Sequence, residues 1–470
     1  MPAPDGKTTT IVVVGAGVSG LSSAWLISQS AKAKNLKIDL KVLEATERHG
    51  GATKTDLIEN YLCEWGPNGF LDNEPATLNL VRSLELEGEL VRASEASANR
   101  YIYHSGKMRI VPTKPLAFLT SNILPFSAKL RIAMEIFIKP RIDGVDETVK
   151  SFGERRLGKM FTKFLLDPMV SGIFAGNIEE LSLKAIFPKM VEMEREYGGL
   201  FKALITKGKE AKKNGKKAAG PAGSGATLHT FRKGMGQLTD VLAEKLGNAL
   251  VINSEVNVIE RVGNRFLVRS SVGTILADIV VLAIPSYAAA KILREIDSSV
   301  ADALCQITYA PADVVCSGYE KSQLTNPLNG FGVLIPRSEG IRSLGTLWSD
   351  QIFPGQAPNG KRLLRTIIGG AHDKGIAKIH EIELLKIAQA DNQKVMGLYG
   401  IPQFSKIFRH PQGIAQYNVG HLEKVATLDK LEQELRGLYF TGAAYRGVSV
   451  NGAAKDAYRV AGEALKFEVN

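Results

Sequence analysis

The chain has 470 residues, 44% hydrophobic and 23% charged, which predicts two or more domains of ordinary globular composition and excludes a fibre, a disordered chain or a membrane-embedded bundle. Lys and Arg outnumber Asp and Glu by 59 to 48, a formal +11. That excess alone fits a nucleic acid, an anionic membrane surface or an acidic substrate equally well.

The opening Met1-Pro-Ala-Pro-Asp-Gly-Lys7 has no apolar h-region, so no secretory signal is expected. Ile11-Val-Val-Val14 is a β-branched run that stops at Gly15-Ala-Gly17-Val18-Ser19-Gly20, and Leu21-Ser-Ser-Ala-Trp-Leu-Ile-Ser28 reads as a helix. A second apolar strand, Ile38 to Leu43, follows at crossover distance and ends at Glu44. The unit is βαβ, so a parallel sheet begins the protein.

Residues 112–141 are apolar patches broken by Pro and cations, too short anywhere for a membrane span. Periodicity favours a helical subdomain with its apolar face in the core over a surface dipping into one leaflet. Lys207, Lys209, Lys212, Lys213, Lys216 and Lys217 crowd a stretch running into Ala-Gly-Pro-Ala-Gly-Ser-Gly, expected as a solvated loop. No aromatic residue interleaves those lysines, which argues against nucleic acid. A helix through Leu246 follows, then strands near 250–252, 256–259, 266–268 and 279–284, closed by Pro285. Residues 305–420 mix strands and helices. Leu438-Tyr-Phe-Thr-Gly442 is a last strand that could rejoin the first sheet, and a helix is expected from Val450 to Phe467. The three cysteines, Cys63, Cys305 and Cys316, fit neither a disulfide framework nor a zinc spacing and point to a reducing compartment. No metal ligand set is expected.

Gly15, Gly17 and Gly20 satisfy a dinucleotide fingerprint in its required strand-to-helix context. Glu44, at the end of the second strand, is placed to accept from ribose hydroxyls and would repel a 2'-phosphate. The ligand is therefore an unphosphorylated adenine dinucleotide, NAD or FAD.

The segment beginning at Glu44 separates the two. Glu44-Ala45-Thr-Glu-Arg48-His-Gly50-Gly51-Ala52-Thr-Lys-Thr55 resembles the extended phosphate-binding segment of the FAD-dependent amine oxidase and phytoene desaturase superfamily. Within it the chain is similar, from about residue 10 to 468, to the protoporphyrinogen IX oxidase family, above all its plastid and bacterial branch. The segments carrying the resemblance are Glu64-Trp-Gly66-Pro67-Asn68, Arg100 to Lys107, Asp167 to Gly176, Leu181 to Ala185, Phe331 to Pro336, Leu344 to Leu347 and Val419 to Leu422.

The resemblance implies an α/β (α+β) fold with a discontinuous Rossmann-like FAD domain (7–75, 229–300 and 420–470). It also implies a substrate domain (76–110, 185–228 and 301–419) and a helical membrane-associating domain (111–184). Arg100 matches an arginine that pairs with a substrate propionate. Leu334 and Leu347 match an aliphatic pair sandwiching a pyrrole ring, Ile367 a Phe or Met position, and Gly172 a glycine facing the macrocycle. Cofactor positions carried over are Gly15, Gly17, Val18, Ser19, Gly20, Glu44, Ala45, Arg48, Gly51, Gly66, Pro67, Asn68 and Val256. Near the C-terminus they are Gly442, Gly447, Val448, Ser449 and Val450, ahead of a helix aimed at the flavin. No residue is assigned as acid or base.

Three positions depart from the family pattern: Ala443 stands for Asn, His410 for Trp, and Ala52 for a larger or basic residue. With no second GxGxxG, dioxygen is the expected acceptor and hydrogen peroxide the by-product. The implied reaction is protoporphyrinogen IX to protoporphyrin IX, a six-electron oxidation in haem or chlorophyll synthesis. Coproporphyrinogen III is the close rival, distinguished by four propionates that would demand more cations at the pocket mouth; an amine oxidase or carotenoid desaturase fits Arg100 less well. The resemblance also turns the basic balance and residues 112–141 toward a peripheral membrane surface. That surface would be the cytoplasmic face of a bacterial membrane, or a mitochondrial or plastid membrane. Ferrochelatase or a neighbouring pathway enzyme would take the product, and a homodimer is left open.

Overall fold

A computed structural model describes residues 8–112, 115–213, 226–325 and 327–466. The glycine-rich end of the lysine loop and Phe467 lie outside the described residues.

Five parallel strands form the first sheet in the order Leu250–Val251, Ile38–Leu43, Thr9–Val14, Ile279–Leu282 and Leu438–Phe440. Both faces of its central strands are covered, which is why they read as unbroken β-branched runs rather than alternating ones. Ile11 and Val13 enter one core with Trp25, Leu238 and Val460, while Val12 and Val14 enter another with Ile292, Leu304 and Leu428. The strand at 438–440 does rejoin the N-terminal sheet, beside Ile279–Leu282. A three-stranded antiparallel ribbon (Val256–Val262, Arg265–Ser270, Gly273–Ala277) stands beside it.

The second large sheet has seven strands: Phe404–Phe408, Ala312–Glu320, Lys361–Gly369, Ser343–Trp348, Gly332–Leu334, Arg100–His104 and Lys107–Ile110. One face is closed by the helix Glu381–Met396, whose Asn392 carboxamide oxygen accepts from the hydroxyl of Thr346 at 2.8 Å. Its other face turns toward the nucleotide-binding body.

Helices between 115 and 213 make a third body. At its centre the fully buried Arg156 pairs with Glu135, and the Glu135 carboxylate accepts the Leu200 and Phe201 amides at 2.8 and 3.1 Å. These amides open the helix Leu200–Lys213, so that acid satisfies donors a helix start leaves free.

Two segments expected with the substrate sheet pack elsewhere. Helix Pro75–Ser83 lies on the nucleotide-binding body, where Ser83 accepts from the Trp25 indole at 3.0 Å and Thr77 bonds Asn451 at 2.8 Å. Helices Pro188–Tyr197 and Leu200–Lys213 belong with the helical body through Glu135, Phe152 and Leu183. Apolar faces of such short helices do not reveal from sequence which body they cover.

Candidate flavin and substrate site

At the nucleotide end the chain leaves Thr9–Val14 and turns through Gly15 at φ +98°. A Cβ there would stand 2.7 Å from both the Ala283 carbonyl oxygen and the Ile284 Cγ2. Gly20 is tighter still, since its Cβ would fall 1.9 Å from the Gly15 carbonyl oxygen, so this glycine lets helix Val18–Ala33 rest on the turn. Around Gly17 the space a Cβ would take is empty. Gly17 caps the helix without a side-chain bond, and the first turn holds no acid, so its amide dipoles stay available to a phosphate. Ser19 is buried in that turn and Val18 packs on the core.

Glu44 fixes the loop beside it. One carboxylate oxygen accepts the Ala16 amide at 2.8 Å, and the other accepts the Thr46 amide and hydroxyl at 3.0 and 2.8 Å. A carboxylate offers about four lone-pair sites, so acceptor capacity remains for a ribose. Ala45 beside it is exposed, and Val256, 7% exposed, sits at the start of the ribbon strand.

The Gly50 amide donates to the Ala16 carbonyl at 2.8 Å, and a Cβ on Gly51 would stand 3.4 Å from Gly17 Cα. The two glycine turns therefore meet. Arg48 donates to the Gly51 carbonyl at 3.0 Å and lies 4.2 Å over the Trp65 ring. Trp65 also stacks on Phe408 at 4.8 Å, so a cation and two aromatic rings form one pile behind Gly66, Pro67 and Asn68. The Asn68 side-chain amide nitrogen and oxygen, the Trp65 indole nitrogen and the Thr441 hydroxyl are buried with no hydrogen-bond partner among the described residues. Buried polar atoms need partners, and these donors and acceptors fit a flavin passing between the two ends of the chain.

At the far end the Thr441 amide donates to the Leu282 carbonyl at 2.9 Å, and Gly442 adopts φ +126° with open space where a Cβ would be. The Tyr417 hydroxyl donates to the Ala443 carbonyl and accepts the Gly447 amide, both at 2.8 Å, pinning the loop through Val448. Ser449 then caps helix Val450–Ala464 by accepting the Gly452 amide at 3.0 Å.

The substrate candidates converge on the open face of the seven-stranded sheet. Register pairs Gly332 with both Arg100 and Leu347, Leu334 with Gly345, Gly345 with Ile367, and Leu347 with Arg365. Directly paired residues share a face, so Arg100, Leu334, Leu347, Ile367 and Arg365 all project toward one side. Leu334, Leu347 and Ile367 are only half-buried although they lie in the interior of the sheet. Gly172, on helix Asp167–Phe174, closes over them: a Cβ there would stand 2.5 Å from Leu334 Cδ2. Arg100 is exposed, lies 5.2 Å over the Phe331 ring, and has no carboxylate partner among the described residues.

Arg365 was not singled out by sequence. It is 4% exposed, and its guanidinium donates to the Glu64 carbonyl at 3.2 Å and to the Gly66 carbonyl. It thereby ties this sheet face to the Gly66–Asn68 segment. Beneath it, the Glu64 carboxyl accepts from the Thr55 hydroxyl at 2.7 Å and the Met235 amide at 2.8 Å. Burial pushes its pKa up to about 7, against the lowering effect of those bonds and of Arg365. No motif marks an arginine inside an apolar strand; only the interruption of Leu363-Leu364 and Thr366-Ile367 hints at it.

The departures also find places. His410 Nε2 meets the Trp65 carbonyl at 2.9 Å, so this nitrogen bears a proton, and its own amide donates to Asp313 at 2.7 Å. Burial, with Arg365 and Arg48 nearby, holds its imidazole below the usual pKa. The Ala52 carbonyl lies 2.4 Å from where a Gly66 Cβ would be.

The model of the flavin-containing amine oxidoreductase family matches residues 18–465. A chloroplastic protoporphyrinogen oxidase of Nicotiana tabacum is 32% identical over 97% of this chain and 85% of its own length. A coproporphyrinogen III oxidase of Bacillus subtilis is 28% identical over 98% of this chain and 99% of its own. A solved structure from Exiguobacterium sp. 255-15 superimposes with a TM-score of 0.83 at 23% identity, covering 98% of this chain and 99% of that one. Reduced UDP-galactopyranose mutase gives 0.73 at 14% identity, over 98% and 94%.

Proposed function

Since the chain belongs to the flavin-containing amine oxidoreductase family, with FAD as its cofactor, we propose that it oxidises a porphyrinogen, with protoporphyrinogen IX as the substrate and dioxygen as the acceptor. The observation that carries this reading is the single sheet face joining Arg100, Leu334, Leu347 and Ile367 under Gly172. Three half-buried aliphatic side chains make a slot suited to a flat, greasy ring system. An exposed arginine at its edge, with no carboxylate partner among the described residues, supplies the planar donor fork that a propionate accepts from. An amine would instead call for an acceptor or an aromatic cage, and a polyene would leave Arg100 without a role.

FAD, when bound, supplies the hydride acceptor that no side chain provides. The chain's own part is placement. Gly172 lets its helix pack directly against Leu334, where a side chain would collide, and Arg100 fixes the ring's orientation through the acid arm. Arg365 holds the Gly66–Asn68 segment against the slot. Three rounds remove six electrons, so each protoporphyrinogen IX and three dioxygen give one protoporphyrin IX and three hydrogen peroxide. Counting peroxide against porphyrin tests this: a ratio near three supports it, and porphyrin formed without peroxide overturns the dioxygen assignment.

The product class belongs to haem or chlorophyll synthesis, and its poor solubility favours a membrane-surface location. Phe126, Phe137 and Ile142 are 79%, 82% and 88% exposed on the helical body, near Lys139 and Arg141. Among the described residues no helix is long and apolar enough to cross a membrane. That apolar patch with flanking cations is proposed as a peripheral anchor.

A further inference from the structure

Strand Tyr61–Glu64, one arm of a hairpin with Thr55–Ile58, packs on strands Ala312–Glu320 and Phe404–Phe408 of the seven-stranded sheet. The Tyr61 ring meets Phe404 at 4.5 Å, and a Cβ on Gly318, the register partner of Phe404, would stand 2.9 Å from Tyr61 Cζ. Just past the strand, the Trp65 ring stacks on Phe408, the register partner of Val314, at 4.8 Å. Side chains alternate along a strand, so Tyr61, Cys63 and Trp65 share one face, as do Gly318, Cys316 and Val314. With Tyr61 over Gly318 and Trp65 over the Val314–Phe408 pair, the residue midway on each strand is a cysteine, and the two meet. Cys63 and Cys316 are both fully buried in one cluster with Tyr61, Val314, Leu363 and Phe408.

We propose that Cys63 and Cys316 are a dithiol site at which hydrogen peroxide forms a reversible disulfide, joining the hairpin that leads into Gly66–Asn68 to the seven-stranded sheet. Sequence spacing does not show the pair, because only the packing of the two strands brings these cysteines together. In a reducing compartment such a bond is transient, formed under peroxide and returned by thiols.

The surroundings assign the two sulfurs different parts. Their thiols share a hydrogen bond, which together with burial raises the Cys63 pKa. A protonated thiol is a poor nucleophile, so Cys63 is not the attacking sulfur. Cys316 is paired in register with Arg365, a buried cation with no ion pair among the described residues. Reactive thiolates belong beside such cations, which gives the attack to Cys316 and the resolving step to Cys63. The Cys316 sulfur attacks one peroxide oxygen, the O–O bond breaks, and a sulfenic acid forms as the released hydroxide takes up the thiol proton as water. The Cys63 sulfur then attacks Cys316, the S–O bond breaks, and a second water leaves with the Cys63 proton. Two thiols lose two electrons, and one hydrogen peroxide becomes two waters. The oxidase reading supplies peroxide at the flavin site bordered by Gly66–Asn68; the test adds peroxide from outside, so failure of the site and failure of that reading are told apart.

Holoenzyme with its exposed cysteine replaced, Cys305→Ser, is treated with hydrogen peroxide, denatured in an alkylating reagent and digested without reduction. The expected result is one cross-linked peptide holding Cys63 and Cys316, together with unfolding several degrees above the reduced protein, both reversed by dithiothreitol. Recovery of both cysteines singly alkylated, or of a sulfinic acid on either beside a free partner, would overturn the site. Adding Cys63→Ser should stop the reaction at a sulfenic acid on Cys316 that dimedone labels. No label there, or an equal label on Cys63 in Cys316→Ser, would overturn the assignment of the two sulfurs.

Discussion

Glu64 is the buried acid whose titration is most open to measurement. Its carboxyl pKa stands near 7 in the folded chain against an ordinary 4.5, so the folded state holds the proton over a range where the unfolded state has released it. Stability is then greatest below the unfolded pKa and declines as pH rises between about 4.5 and about 7. At 1.36 kcal/mol per pKa unit, the penalty accumulated between pH 5 and pH 8 is about 2.5 kcal/mol. Glu64→Gln removes the titration while keeping an oxygen for the Met235 amide, and the Thr55 hydroxyl can reverse its bond to accept. Thermal unfolding of holoenzyme at pH steps from 5 to 8 provides the assay. Other buried acids titrate in both proteins, so the difference between the two curves isolates Glu64. The variant should gain on the wild type by a few degrees as pH rises. Parallel curves would refute the burial argument.

Gly15→Val forces a β-branched side chain into φ +98° and against the Ala283 carbonyl, so it should lose flavin on purification; a yellow, stoichiometrically loaded variant would refute the turn argument. Arg100→Ala should raise KM for a propionate-bearing porphyrinogen about tenfold or more while flavin content stays the same, and an unchanged KM would remove Arg100 from the slot. Replacing Phe126 and Phe137 together by Glu should abolish sedimentation with vesicles of anionic phospholipid while leaving turnover of detergent-dispersed substrate, and retained sedimentation would move the anchor elsewhere.

The nucleotide end was legible because each of its devices is local. Gly15, Gly17 and Gly20 lie within six residues, and Glu44 ends the next strand, so one βαβ unit reveals them all. The return of 438–440 to the first sheet was legible from its apolar run before a glycine loop. Arg365 and Glu64 were not, because their meaning depends on contacts between segments about three hundred positions apart. Tyr417 is similar: nothing local distinguishes it, yet its hydroxyl binds both Ala443 and Gly447. The substrate face lay between these cases. The resemblance singled out Arg100, Leu334, Leu347 and Ile367, but only strand register shows that they share one side of a sheet.

The most direct test of porphyrinogen oxidation is aerobic incubation of the purified yellow protein with protoporphyrinogen IX and, separately, coproporphyrinogen III. Porphyrin fluorescence is followed against a heat-inactivated control. The account predicts fluorescence growth well above the control with at least one porphyrinogen. A flavin-loaded protein that stays at the control rate with both would contradict it and send the substrate elsewhere in the flavin-containing amine oxidoreductase family.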